Sequence, residues 1–533
     1  MRKFFNNIIC ALSILVLSSK VATAAEGESF QEDGIWYTVL SETHKTCETR
    51  AGTYSVPGNT IVGGDLIIPS TVSYNNQSYE VIAIGAYSFF EQYTFPSTLT
   101  LPENLRAIGD YAFYNCNGFR GHLILPGSLI SIGKSAFYAC YGFTGDLVLP
   151  QNLTEINDFA FEHCYNLTGN LVLPEGLTSL RSGVFSGCYR FKGNLVLPES
   201  LTEIGDWAFA HCSGLTGDLV LPEKLTSIGD YAFYRCSGLT GELALPEGLT
   251  EISDYTFYEC SGFAGDLVLP KNLISIGDYA FYYCSGFTGN LVLPESLNSM
   301  GTGVFSCCSG FTGNLVLPES LTEIKGSTFN NCHGFTGNLV LPEGLTEIGG
   351  WAFYNCYGLT GNLILPEGLT EIGKSTFYNC SGLTGNLVLP EGLAEIDDWA
   401  FASCSGLTGN LILPKYLISI GYATFNDCFG FTEVTSLNLE PPFADENSFN
   451  NYDIPLYVSE ESIRKYEFTS PWSYFSKIKP VEAGVGGLAA DNNTYKVYTI
   501  DGKRIRTTLN DATLNNLPKG IYIINSKKIA ISK

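Results

Sequence analysis

Hydrophobic and polar positions along this chain recur every 24 residues, without slippage, from Pro102 to Pro414. One unit runs Gly169-Asn170-Leu171-Val172-Leu173-Pro174-Glu175-Gly176-Leu177-Thr178-Ser179-Leu180. Leu171 and Leu173 alternate with Val172, the period of a strand, and Pro174 ends the strand because proline has no N–H to give a ladder. Leu177, Leu180 and Phe185 then turn inward within a segment too short for a full helix, which predicts a tight turn or a 3₁₀ piece. Cys188 and Leu167 complete the inward set, and Gly169 permits the bend into the next strand.

Each of the repeat prolines is followed eleven residues later by Phe (Phe113 to Phe425) and fourteen residues later by Cys (Cys116 to Cys428). A period in this range is the mark of a solenoid. No single unit can bury its apolar residues alone. Stacking about fifteen of them gives a continuous core about 70 Å long at ~4.8 Å per rung. The expected fold is a repeat solenoid of parallel β-strands and short turns.

The ends depart from the pattern. Residues 25–68, with Ile35–Leu40 and Thr60–Val62 as short strands, read as a cap over the first coil, which would otherwise expose apolar core and strand edges. Leu66-Ile67-Ile68-Pro69 is a first degenerate copy, followed by a hairpin turn at Tyr74–Gln77, and Phe89 lies 24 residues before Phe113. The repeats span 69–433. The frame is lost at Glu433, and 434–482 reads as a C-terminal cap. A Gly/Ala/Asn-rich linker covers 483–494. Residues 495–533 form a small β segment with strands at Tyr495–Ile500 and Ile521–Ile524 and a turn at Asp501-Gly502. Eight Lys or Arg there face only Asp501 and Asp511, a local charge of +6 in a chain of −24.

At the N-terminus, Arg2 and Lys3 precede an apolar run, Ile8–Leu17, and the small residues Ala22-Thr23-Ala24-Ala25. This is the pattern of a secretory signal peptide over residues 1–24. The apolar run falls well short of the ~20 residues needed to span a bilayer. The expected location is secreted or at the outer cell surface.

The unit Leu201-Thr-Glu-Ile204 with Ala208-Phe209, Cys212 and Leu215 resembles the leucine-rich repeat of the BspA-like type, also described from a treponemal repeat protein. Over roughly residues 30–480, that resemblance implies a right-handed leucine-rich-repeat superhelix with β-type caps. It also implies a non-catalytic surface protein adhering to host or microbial macromolecules. The segments Val497–Lys503 and Leu517–Ile523, with the terminal Lys533, resemble the C-terminal sorting domain of the type IX secretion system of Bacteroidetes-like bacteria. The alternative from another class is a surface glycan-capture component of a polysaccharide-utilisation system.

Candidate chemistry is sparse. Of 17 cysteines, fourteen occupy one repeat position and so stack in one column, where small buried hydrophobes are expected rather than disulfides. Cys47, alone in the N-terminal segment, is the candidate for a free or intermolecular thiol. The five histidines do not recur beside a nucleophile and an acid, so no catalytic triad, metal or cofactor site is expected. The acidity argues against nucleic acid as a partner.

Three outward columns remain as contact candidates for an extracellular protein, a glycan or a second copy of the chain. The first is aliphatic, at Val148, Val172, Val196, Val220, Val268, Val292, Val316 and Val340, flanked by Ile124 and Ile364–Ile412. It is either a contact stripe or a set of β-branched side chains stacked or covered by the chain itself. The second is a set of Glu after the proline in ten coils and after the inward Leu in seven, either a solvated edge or a run of calcium ligands, although no Asp-Gly calcium loop accompanies it. The third is aromatic, at Trp207, Tyr231, Tyr255, Tyr279, Trp351 and Trp399, with further Tyr three positions on. These rings suit sugar or protein contacts, or shield the turns of neighbouring coils.

Overall fold

The computed structural model describes residues 24–60, 63–92 and 97–481, together with the backbone of three strands nearer the C-terminus. Residues 1–23 of the expected signal peptide, Ile61-Val62, the 483–494 linker and the Asp501-Gly502 turn lie outside the described residues.

Successive coils are stitched together along three sides. On the first side, Leu-Val dipeptides pair in parallel in several successive coils, as Leu171 opposite Leu195 and Val172 opposite Val196, with breaks between the pairs. The short strands ending in the inward Ile or Leu form a ladder on the second, running from Ser179–Leu180 to Glu203–Ile204 to Ser227–Ile228 in the same 24-residue register. The turn that carries Phe makes the third. The N–H groups of Tyr111, Phe113 and Asn115 donate to the carbonyls of Lys134, Ala136 and Tyr138 at 2.7–2.8 Å. Between 97 and 433 these corners are turns. Among the described residues, 3₁₀ helix occurs only at Glu460–Ser462 and Trp472–Tyr474.

That third side needs a backbone of alternating hand. Two residues per coil sit in the left-handed region, at φ 55° for both Tyr111 and Asn115, and their columns run from Tyr87 and Glu91 to Ala423 and Asp427. For an L-residue this costs about 1–2 kcal/mol. No Val, Ile or Thr occupies either column, because a β-branched side chain tolerates this region worst.

The core is columnar. Phe rings stack from Phe89 to Phe449, with Phe113–Phe137 centroids 5.3 Å apart and Phe281–Phe305 at 5.5 Å with planes 2° apart. Beside them the cysteines are buried and free of disulfides. Each thiol donates to a phenylalanine carbonyl of the preceding coil, as in Cys140 to Phe113 and Cys236 to Phe209, both at 3.0 Å. This bond explains why Cys, rather than Ala, fills a position of this size. Burial pushes the Cys236 thiol up to about 12, so it stays protonated and able to donate. Cys47 is equally buried and pushed up to about 12, which removes it as an intermolecular thiol. The half-exposed free cysteine among the described residues is Cys307.

The Gly-Asn or Gly-Asp dipeptide before each strand has a steric cause. The Asn170 amide lies across the next coil at Gly193, where a Cβ would come within 2.0 Å of Asn170 Oδ1. Asn290 covers Gly313 in the same way.

Both ends protect the core. At the N-terminal end, Ser29–Glu32, Ile35–Ser41 and Thr46–Thr49 form an antiparallel meander. Thr46–Thr49 then pairs in parallel with Gln77–Ile84, the second arm of the expected hairpin, which leads into the ladder at Ala107–Ile108. At the other end, parallel pairing continues beyond the last regular repeat. Gly430–Ser436 joins Thr408–Leu413 to Leu456–Val458, and Ile478–Pro480 follows. A single-turn helix, Ile463–Glu467, and the buried Trp472, whose Nε1–H donates to Pro442 O at 2.8 Å, close this end. Further along the chain, Val497–Thr499, Gly520–Ile524 and Lys527–Ile531 form an antiparallel three-stranded sheet.

Candidate functional site

Alternation along the Leu-Val-Leu strand sends both leucines into the core and the intervening residue outward. The aliphatic column is therefore open to solvent. Val148 is 71% exposed, Val220 70% and Val172 45%, while Leu171 and Leu173 beneath are buried. The ridge runs from Ile124 through Val148, Val172, Val196, Val220, Val268, Val292 and Val316, with Ala244 at the corresponding place in its coil. Val340 and Ile364 are half-buried, so the ridge fades there before Val388 emerges again. Nothing among the described residues covers it, so cover by the described chain falls, while β-branched stacking and a contact stripe both remain as readings.

The aromatic column behaves differently. Trp207, Tyr231, Tyr255 and Tyr279 pile face to face, with centroids 3.9, 4.6 and 5.2 Å apart. A second pile three positions on includes Tyr234, Tyr258 and Tyr282 at 4.8 and 4.6 Å. Rings inside the pile present edges rather than faces, while Trp207 at its end is stacked on one side and 37% exposed. Trp399 packs edge-on against Tyr422 with Lys374 Nζ 4.9 Å from its ring centre. Trp351 is flanked in its column by Ser327 and Ser375 and is 42% exposed. The six aromatic candidates thus divide into one pile of four and two separate tryptophans.

The polar columns are largely structural. Asp206, Asp230, Asp254 and Asp278 each accept, through Oδ1, the backbone N–H of the residue 24 positions on, at 2.6–3.1 Å. Asn331, Asn355 and Asn379 form an amide ladder at 2.8 and 3.0 Å. Sequence reasoning missed both ladders, although their 24-residue recurrence was visible.

One titratable pair is unusual. Burial pushes the Glu162 carboxyl up to about 7, and burial lowers the neighbouring His163, whose Nε2 lies 3.9 Å from Glu162 Oε1. His211 is lowered by burial and then by Arg235. Among the described residues no group of three or more His, Cys, Asp or Glu is placed to hold a metal ion. A cavity of about 310 Å³ at the N-terminal end is lined by Glu32, Asp33, Ile35, Tyr37, Ile67, Pro69 and Val72.

A parallel solenoid of short strands with a Leu-x-x-Ile and Phe-x-x-Cys interior defines a leucine-rich repeat protein. The family described as the BspA type leucine rich repeat region matches six times, over residues 82–216, 216–336 and 335–456, and the chain belongs to that family. Among solved structures, the chain is similar to a leucine-rich repeat protein from Bacteroides ovatus at 25% identity. That match has a TM-score of 0.53 and covers 85% of this chain and 100% of that one. A leucine rich cell surface protein from Faecalibacterium prausnitzii matches at 24% identity and TM-score 0.39, covering 77% of this chain and 94% of that one. The pneumococcal vaccine antigen PcpA matches at 19% identity and TM-score 0.34, covering 86% and 100%. No protein of curated function matches the chain. No helix among the described residues is long and apolar enough to cross a membrane.

Proposed function

We propose that this chain is a non-catalytic, exported surface protein that holds extracellular protein partners along the Val ridge. The observation that carries the reading is the ridge itself. Its Val and Ile side chains stand exposed in one row, and such a row is the kind of apolar surface that water disfavours and a partner relieves. The residues match an adhesion role because an extended row suits a large partner better than a pocketed metabolite. Export rests on the signal-peptide pattern of residues 1–24 and the sorting-domain resemblance of 495–533.

The test is capture of extracellular-matrix and microbial surface proteins on an array by the mature chain. Val220→Lys with Val268→Lys is expected to lower capture at least a hundredfold while leaving the thermal midpoint within about 2 °C, since both side chains already face water. Unchanged capture would remove the ridge from consideration.

Glycan capture stands as a second reading at Trp351, whose ring no other ring covers. Polysaccharide binding lost in Trp351→Ala, with protein capture absent, would make it the better account.

A further inference from the structure

The ridge has a charged border that specifies its partner. Two residues before the ridge position, the outward side chain is Asn in most coils, but in three successive central coils it is Asp218, Glu242 and Asp266, all exposed. Three residues after the ridge position, Glu223 and Glu247 are offset by cations, the exposed Lys224 beside Glu223 and Lys271 4.0 Å from Glu247, so the net anionic border is the Asp218, Glu242 and Asp266 column. Beside that column the ridge dips at Ala244, with Val220 and Val268 on either side.

At about 3.3 Å per residue the anionic column lies ~7 Å from the ridge, and the rungs repeat at ~4.8 Å. A second copy of the chain would set carboxylates against carboxylates, and each copy carries a net charge of −24. An extended strand with one apolar face would point its cations away from that column, because its side chains alternate. An α-helix about 10–12 Å across, rising 5.4 Å per turn, spans that distance and nearly matches the rung spacing. Its flanking Lys or Arg can reach sideways to the carboxylates while their stems cover the apolar seam.

We propose that the ridge receives a cationic amphipathic α-helix of its partner protein, lying along the solenoid axis and centred on Ala244. This rests on the reading of the ridge as the contact surface. The decisive probe is a fluorescein-labelled 18-residue helical peptide with a narrow Leu stripe flanked by Lys, titrated into the full mature chain. A Glu-for-Lys version and a scrambled version serve as controls.

The Lys peptide is expected to bind and to weaken more than tenfold between about 50 and 300 mM salt, as screening shortens the Debye length. The triple change Asp218→Asn, Glu242→Gln, Asp266→Asn should weaken it at least fivefold. The fold should tolerate that change, since Asn170, Asn194 and Asn290 occupy the same position in other coils. Val220→Lys with Val268→Lys should abolish binding. Absence of binding by the Lys peptide, equal binding by the Glu or scrambled peptide, or indifference to the triple change would overturn the cationic-helix assignment. If array capture still depended on Val220 and Val268, the ridge itself would stand. If neither the peptide nor array capture responded to the Val changes, both would fall.

Discussion

The strand face and the turn face of this solenoid are equally periodic in sequence, yet their side chains meet opposite fates. On the strand face, successive Val side chains lie side by side with their outer surfaces open, Val220 at 70% exposure. On the turn face, Trp207, Tyr231, Tyr255 and Tyr279 have turned onto one another, and the rings within the pile have spent their faces in stacking. A Val is too short to lie flat on the next coil, whereas an aromatic ring is long enough to bend over and cover it. Regular recurrence of an apolar residue on a solenoid therefore marks a contact surface only where the side chain is too compact to satisfy itself.

The comparison can be inverted by mutation. Trp207→Ala removes a ring stacked at 3.9 Å and is expected to destabilise the array by about 1–2 kcal/mol. Partner capture should be unaffected, the reverse of the ridge Lys changes. Urea unfolding alongside the capture assay checks this, and a loss of capture without a loss of stability would contradict the assignment.

An effect of similar size separates the turn backbone from its rings. Ser327 holds φ at 58° in the first left-handed column, where a neighbouring coil already has Gly303. Ser327→Gly is expected to stabilise by about 0.5–1 kcal/mol, and Ser327→Val to destabilise by roughly 1–3 kcal/mol. The same pair of changes at Ser179, on the strand side, should reverse the order, because a strand favours Val over Gly.

A further effect, confined to a pH window, comes from one buried carboxyl. Glu162 has a folded-state pKa near 7, raised from 4.5 by burial. The folded chain then holds a proton that the unfolded chain has released, so stability from this group is highest below about pH 4.5. It falls as pH rises toward 7 and is flat above that. Glu162→Gln should raise the melting midpoint at pH 8 and leave it unchanged near pH 4. An equal shift at both pH values would show that packing, not ionisation, is responsible.

Much of the interior was legible beforehand. The inward positions of Leu171, Leu173, Leu177, Leu180, Phe185 and Cys188 followed from spacing alone, and all are buried. The hairpin around Tyr74–Gln77 was also visible, because polar residues interrupt two β-branched runs. The left-handed columns were harder. Their mark is an exclusion of Val, Ile and Thr from residues as different as Tyr111, Ser327 and Asp427, and an exclusion is easily passed over beside a recurring ring. Cys47 misled because its isolation in sequence says nothing about depth; strand pairing with Val39 and Val81 seals it inside the cap.

The sequence by itself determined the period, the inward set and the family, because a 24-residue repeat leaves one economical way to bury Leu, Ile, Phe and Cys together. Only the tertiary structure decided which outward columns remain free. Exposure depends on whether a side chain reaches the coil above, and that reach is set by rung spacing and backbone hand. The continuation of the ladder through Gly430–Ser436, Leu456–Val458 and Ile478–Pro480 was likewise a tertiary outcome. Once a sheet edge and a Phe stack are in place, Phe449 and Trp472 can extend the core with residues that no longer match the repeat.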